Sequence, residues 1–172
     1  MKILECSSAG DKRFSSLYAL VDVFGVTESI ESHYQAVKRN EKGSYCRKGE
    51  KVDHIIIKGK KLEPKYLTPY YILLWVKYLD KHPELVEYAS QFDEFNDKFR
   101  GKSINCQADV IRAYVKGNRR ILLRTDLVKE LSNIIRETAW VRGLTPSHDY
   151  LLKNIIKKGR NLLWKIYLKV YY

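Results

Sequence analysis

The segment Ser29 to Arg39 reads SIESHYQAVKR and crowds a carboxylate, an imidazole, a phenol, an amide and an amine into a short stretch. Read as a helix over 27–40 with Thr27 as its N-cap, it sets Glu31, Gln35 and Lys38 along one face, at i, i+4 and i+7. Tyr34 and Lys38 are also i, i+4 neighbours, and Ile30 and Val37 supply a buried side. A carboxyl at Glu31 can pass a proton to a departing group. An amine at Lys38 can act as a nucleophile once burial or a like charge lowers its pKa. The same spacing also describes an ordinary solvated face with a Glu–Lys ladder.

Other chemistry-bearing residues are more thinly spread. SSAGD, residues 7–11, is a turn that can either present backbone N–H groups to a phosphate or simply reverse the chain. His33, His54, His82 and His148 form no HxH or HxxxH pair, and Cys6, Cys46 and Cys106 form no CxxC pair. Neither a metal nor another cofactor is therefore expected. Cys106, flanked by Asn105 and Gln107, reads as a small buried thiol rather than a nucleophile. Trp75 and its neighbours Tyr70, Tyr71 and Tyr78 recur at helical spacing, which favours core packing over a stacking platform for a base.

The elements that must position these groups follow from pattern and punctuation. A strand is expected over Lys2–Cys6, a second in LVDVFGV with Gly25 at a bend, and a third in HIIIKG. TPYYILLWVKYLDKH reads as a helix capped by Thr68, with Pro69 at its first position. Further helices are expected from Pro83 through PELVEYASQFDEFNDKF, in INCQADVIRAYVKG up to Gly117, and in RTDLVKELSNIIRETAWVRG capped by Thr125 or Asp126. The last, SHDYLLKNIIKKGRNLLWKIYLKVYY, is a basic amphipathic helix interrupted by Gly159. The expected fold class is α+β: a predominantly helical single domain with a small N-terminal β element and a basic C-terminal helical extension.

Charge is unevenly distributed. Of a net +12, residues 112–172 carry fourteen Lys and Arg against four Asp and Glu, whereas residues 1–111 are nearly balanced. A basic third attracts phosphate-rich partners, and Lys153, Lys157, Lys158 and Arg160 are the candidate contacts to a nucleic-acid backbone. No apolar run is long enough to span a bilayer, and no signal peptide is expected. A reducing cytoplasm is the expected location.

Two stretches, FSSLY at 14–18 and SIESHYQAVK at 29–38, resemble the N-terminal signature of the NADAR (YbiA-like) superfamily, in particular its small phage-borne members. That signature is F-S-x-[FL]-Y followed by [ST]-x-E-H-[YF]-[YF]-Q-A-x-K, and Ser29, Glu31, Tyr34, Gln35, Ala36 and Lys38 stand at the matching spacing. Ser32 and His33 depart from it, and the family's D-x-x-WG and G-x-N-x-x-G segments are absent. The resemblance covers residues 7–40.

It implies a hydrolase that cleaves N-glycosidic bonds, such as the bond between ADP-ribose and guanine, free or in DNA. Lys38 would be the nucleophile and Glu31 the acid/base. Tyr34 and Gln35 would position ribose or phosphate. Arg13, with Lys12, would hold the diphosphate, and Phe14, Ser15, Asp11 and His33 would complete the substrate wall. Residues 1–118 would form the catalytic domain and 119–172 the extension packed on it. The alternatives are a non-catalytic nucleic-acid-binding protein and a partner-binding protein, for instance a phage inhibitor of a bacterial defence factor, on the same scaffold.

Overall fold

A computed structural model describes residues 1–97 and 107–139 of the chain. Its centre is a helix that is apolar almost all round, and such a helix must be buried. This helix, α2, spans Leu67–Asp80 and buries Tyr70, Tyr71, Leu74, Trp75, Val76, Tyr78 and Leu79. The aromatic residues at helical spacing are thus core. The helix starts earlier than Thr68 predicts. Pro64 opens a tight turn over Pro64–Tyr66 that runs straight into Leu67. Pro69 then falls inside the first helical turn, where a missing N–H leaves no hydrogen bond unmade.

Before α2 come β1 (Ile3–Glu5), β2 (Leu20–Val23), β3 (Val26–Ser29), α1 (Ile30–Ala36), β4 (Lys38–Arg39), β5 (His54–Ile57) and β6 (Lys60–Leu62). After it come α3 (Pro83–Ser90), β7 (Glu94–Asn96), α4 (Gln107–Ala113), α5 (Arg119–Leu122) and α6 (Asp126–Ala139). The described strands form three small sheets: β1 parallel to β7, the β2–β3 hairpin, and the antiparallel order β4-β5-β6. The architecture is α+β.

Both hairpins close through two residues in the left-handed region, Phe24–Gly25 and Lys58–Gly59. This is the turn whose twist matches that of its strands.

Three expectations from the sequence are corrected. The helix expected over 27–40 is a strand up to Ser29, one short helix, and a strand again at Lys38. Thr27 lies in the hairpin opposite Asp22, so Ser29 is the N-cap, and its hydroxyl accepts from the Ser32 N–H. The helix expected over 83–99 ends at Ser90. The N–H groups of Asp93 and Glu94 donate to the Lys2 carbonyl, and that pairing draws the chain into β7.

The helix expected to reach Gly117 opens into a wide turn over Tyr114–Asn118, with Gly117 at φ 84. Beyond this kink α6 still supplies Val128 and Leu131 to the buried interior beside α2. The basic residues Lys153, Lys157, Lys158 and Arg160 lie outside the described residues, as do Cys106 and His148. Among the described residues, no helix is long and apolar enough to cross a membrane.

Candidate active site

The site is built where the N-terminus of α1 meets the turn made by FSSLY. A helix leaves its first N–H groups without intrahelical partners. Here Ile30 donates to the Ala19 carbonyl and Glu31 to the Ser16 carbonyl, both at 2.9 Å. These bonds bring the Glu31 carboxylate against Ser16. Its two oxygens accept from Gln35 Nε2 at 2.7 Å and, more loosely, from the Ser16 hydroxyl at 3.5 Å. The i, i+4 relation of Glu31 and Gln35 is thus realised as a hydrogen bond.

Ser16 is held from behind, because its N–H donates to the Gln107 side-chain carbonyl at 2.8 Å. Its hydroxyl also faces the Tyr71 phenol, which burial pushes up to about 12. The Trp75 indole N–H faces Tyr71 as well but, fully buried, closes no hydrogen bond within normal distance and angle. Asp97, buried just past β7, adds a smaller electrostatic push that raises the Tyr71 pKa further.

Lys38 reaches this cluster by a different route from the one its spacing suggests. It leaves the helix and enters β4, paired with Ile55. Its ammonium sits 3.8 Å from the centroid of the Tyr34 ring, and Tyr34 packs edge-on against Tyr71 at 5.1 Å. Burial lowers the Lys38 pKa from its ordinary value, while the charges of Glu31 and Cys46 pull it back up. A half-buried amine drawn toward neutrality, in the field of a held carboxylate, can both attack an electrophilic carbon and exchange a proton nearby.

The other residues expected at the site have different places. Phe14 and Ser15 are buried, Phe14 stacked on Tyr88 and Ser15 accepting from the Tyr18 and Ala19 N–H groups. They hold the turn and offer a substrate no surface. His33 is buried too, and its Nε2 bonds the Val21 carbonyl at 2.9 Å, fastening α1 to β2. Arg13 is clamped by Asp11 through its Nε and Nη2 and lies over Tyr88, 4.7 Å from the ring centroid. That guanidinium holds the Asp11 carboxyl below its ordinary range. Arg13 also contacts α2 near Tyr78 rather than Tyr71, about 10 Å further along the helix.

The SSAGD turn is not a phosphate cradle. Its Ser7, Ala9, Gly10 and Asp11 N–H groups are already taken by Glu5 or Ser7. Among the described residues, no three His, Cys, Asp or Glu are grouped to hold a metal ion.

Ser16, Tyr71 and Asp97 were not singled out for the site from sequence. They join it through contacts across the chain, and only Ser16 carried a local signal, as the second serine of FSSLY. No protein-family model matches the chain, and no curated protein does either.

Proposed function

We propose that the chain is an N-glycoside hydrolase that removes ADP-ribose from a guanine base, free or in DNA. One observation carries this reading: the half-buried Lys38 amine, its pKa lowered by burial, shares a cluster with the Glu31 carboxylate that Gln35 and Ser16 hold. The resemblance of FSSLY and SIESHYQAVK to the NADAR signature supports it.

In this reading the Lys38 amine bonds to C1′ of the ribose as the C1′–N bond to the base breaks. Glu31 delivers a proton to the departing nitrogen. Opening of the sugar ring then leaves an iminium between Lys38 and C1′. Water adds to that carbon as Glu31 takes up a proton, and the free sugar and the lysine amine are regenerated. Tyr34 positions the amine against the face of its ring. Arg13 would meet the diphosphate only by leaving Asp11. The protein would work in a reducing cytoplasm, with the basic C-terminal third beside the nucleic-acid backbone.

The test is turnover of guanine-ADP-ribosylated DNA, with borohydride added to trap a sugar–lysine adduct. Wild type should release ADP-ribose and yield an adduct mapped to Lys38. Lys38→Ala should abolish both, and Glu31→Gln should slow release by roughly 10²–10⁴-fold. DNA binding with neither release nor adduct would overturn the hydrolase and leave a non-catalytic nucleic-acid-binding protein, the reading favoured by the charge of residues 112–172.

A further inference from the structure

The loop that follows β4 carries features that the Lys38 site does not use. Residues 38–51, KRNEKGSYCRKGEK, hold six Lys and Arg against two Glu. The loop is braced from within. Asn40 Oδ1 accepts from the Lys42 and Ser44 N–H groups, and Asn40 Nδ2 donates to Glu50 at 2.9 Å. The second Glu50 oxygen accepts from the Arg47 N–H, also at 2.9 Å. One of the two carboxylates is thereby committed to holding backbone and amide. Lys42, Arg47, Lys48 and Lys51 take part in none of the salt bridges among the described residues. A cavity of about 690 Å³ opens here, with Lys42, Tyr45, Arg47 and Lys51 in its wall beside the carboxylates of Glu41 and Glu50, so that three cations face two anions. Neither Glu31 nor Lys38 lines it.

Tyr45 gives this basic cavity its specific character. The ring is 67% exposed, although most tyrosines of this chain that lie near the core are buried. One face is covered by Arg39, whose guanidinium carbon lies 3.8 Å from the ring centroid. Arg39 is itself fixed, since its Nη1 donates to the Ala36 and Lys38 carbonyls at 2.8 Å each. The antiparallel bridge between Arg39 and Tyr45 sets the two side by side. The outer face of the ring is therefore held rigid and open, with cations around it. A fixed aromatic face among cations outside any salt bridge suits a base stacked on the ring with its phosphates among the lysines and arginine. The bridge also places Cys46 opposite Lys38, so this platform and the Lys38 site share one edge of the β4 ribbon and look out from opposite faces of it.

We propose that the Asn40–Lys51 loop is a binding site for single-stranded nucleic acid, in which a base stacks on the open face of Tyr45 and Lys42, Arg47 and Lys51 hold the flanking phosphates. The site stands on its own geometry. Only the further step, that the strand it holds is the one bearing the substrate base, rests on the hydrolase reading.

The test uses the full-length chain and two fluorescent single strands of equal length, oligothymidylate and its abasic counterpart, in fluorescence anisotropy titrations. The C-terminal basic residues see the same phosphates in both strands, so a difference between them reports stacking. Wild type should bind oligothymidylate roughly ten-fold more tightly than the abasic strand. Tyr45→Ala should erase that preference, and Tyr45→Trp should keep it. The double variant Arg47→Ala, Lys51→Ala should lower the salt dependence of binding to both strands by about two phosphate contacts. Lys38→Ala should change neither readout, which separates this site from the catalytic reading. A wild-type protein that binds both strands equally, or a Tyr45→Ala variant that keeps the preference, would overturn the proposal.

Discussion

At the scale of single residues, the environment of Lys38 makes its titration testable. Its folded-state pKa is lowered by burial, so the folded chain binds its proton less tightly than the unfolded chain does. Between that lowered value and the ordinary 10.5 the unfolded state holds more protons, and the Lys38 contribution to stability therefore rises with pH across this window. The amine becomes nucleophilic over the same range. Labelling of Lys38 by an amine-reactive probe, followed by mass spectrometry, should show a midpoint below 10.5. Glu31→Gln removes a charge that favours the ammonium, and should move that midpoint lower still.

His33 gives the opposite kind of prediction. It is buried and bonded to a backbone carbonyl, so His33→Ala should cost about 1–3 kcal/mol in urea unfolding. Activity per folded molecule should stay within about two-fold, since the ring faces β2 and not the carboxylate. The sequence displayed the Glu31–Gln35 pair plainly, because i, i+4 spacing is local. It could not display Tyr71 or Gln107, whose distance along the chain from Ser16 leaves no periodic trace. Lys38 was singled out on a helical spacing that the chain does not follow, since it is β4 that places the amine.

At the scale of elements, turns and short strands decide the outcome. Gly10 approaches β1 so closely that a Cβ there would meet the Glu5 carbonyl oxygen at 2.2 Å. Gly10→Ala must push the SSAGD turn off β1, and should cost about 1–3 kcal/mol, seen as a lowered thermal midpoint. Hydrogen exchange at the Cys6 and Asp11 amides, which the native turn and strand hold, should accelerate with it. Gly25 announced a bend in the sequence, and Gly59 ended the strand expected in HIIIKG. What they could not announce was that each completes a two-residue hairpin turn after a non-glycine in the left-handed region, Phe24 and Lys58. β4, β6 and β7 leave no mark in the sequence for a related reason. Lys38–Arg39, Lys60–Leu62 and Glu94–Asn96 are too short and too charged to show alternation, and their pairing comes from the partners they meet. The helix over 83–99 was overextended because nothing local outweighs the apolar periodicity, whereas the Lys2 backbone does.

At the scale of the whole molecule, distant segments are tied together by a few part-buried polar contacts. Asp80, at the end of α2, accepts from Tyr114 and from two nitrogens of Arg119, and so fastens the wide turn and α5 to the central helix. Asp80→Asn keeps the shape but removes the charge and an acceptor. It should cost about 1–3 kcal/mol in chemical denaturation, with proteolysis beginning near Arg119 and Arg120. The parallel pairing of β1 with β7 is the other long tie, and it bears on the order in which the chain can be assembled. At roughly 5–20 residues per second, Ile3 and Leu4 are synthesised about five to twenty seconds before their partners Glu94 and Phe95. During that interval Leu4 has no sheet to enter, and the carboxylate of Asp97 does not yet exist to face Tyr71. A nascent chain halted before residue 97 would carry every residue of SIESHYQAVKR and still lack Gln107, whose side chain holds Ser16.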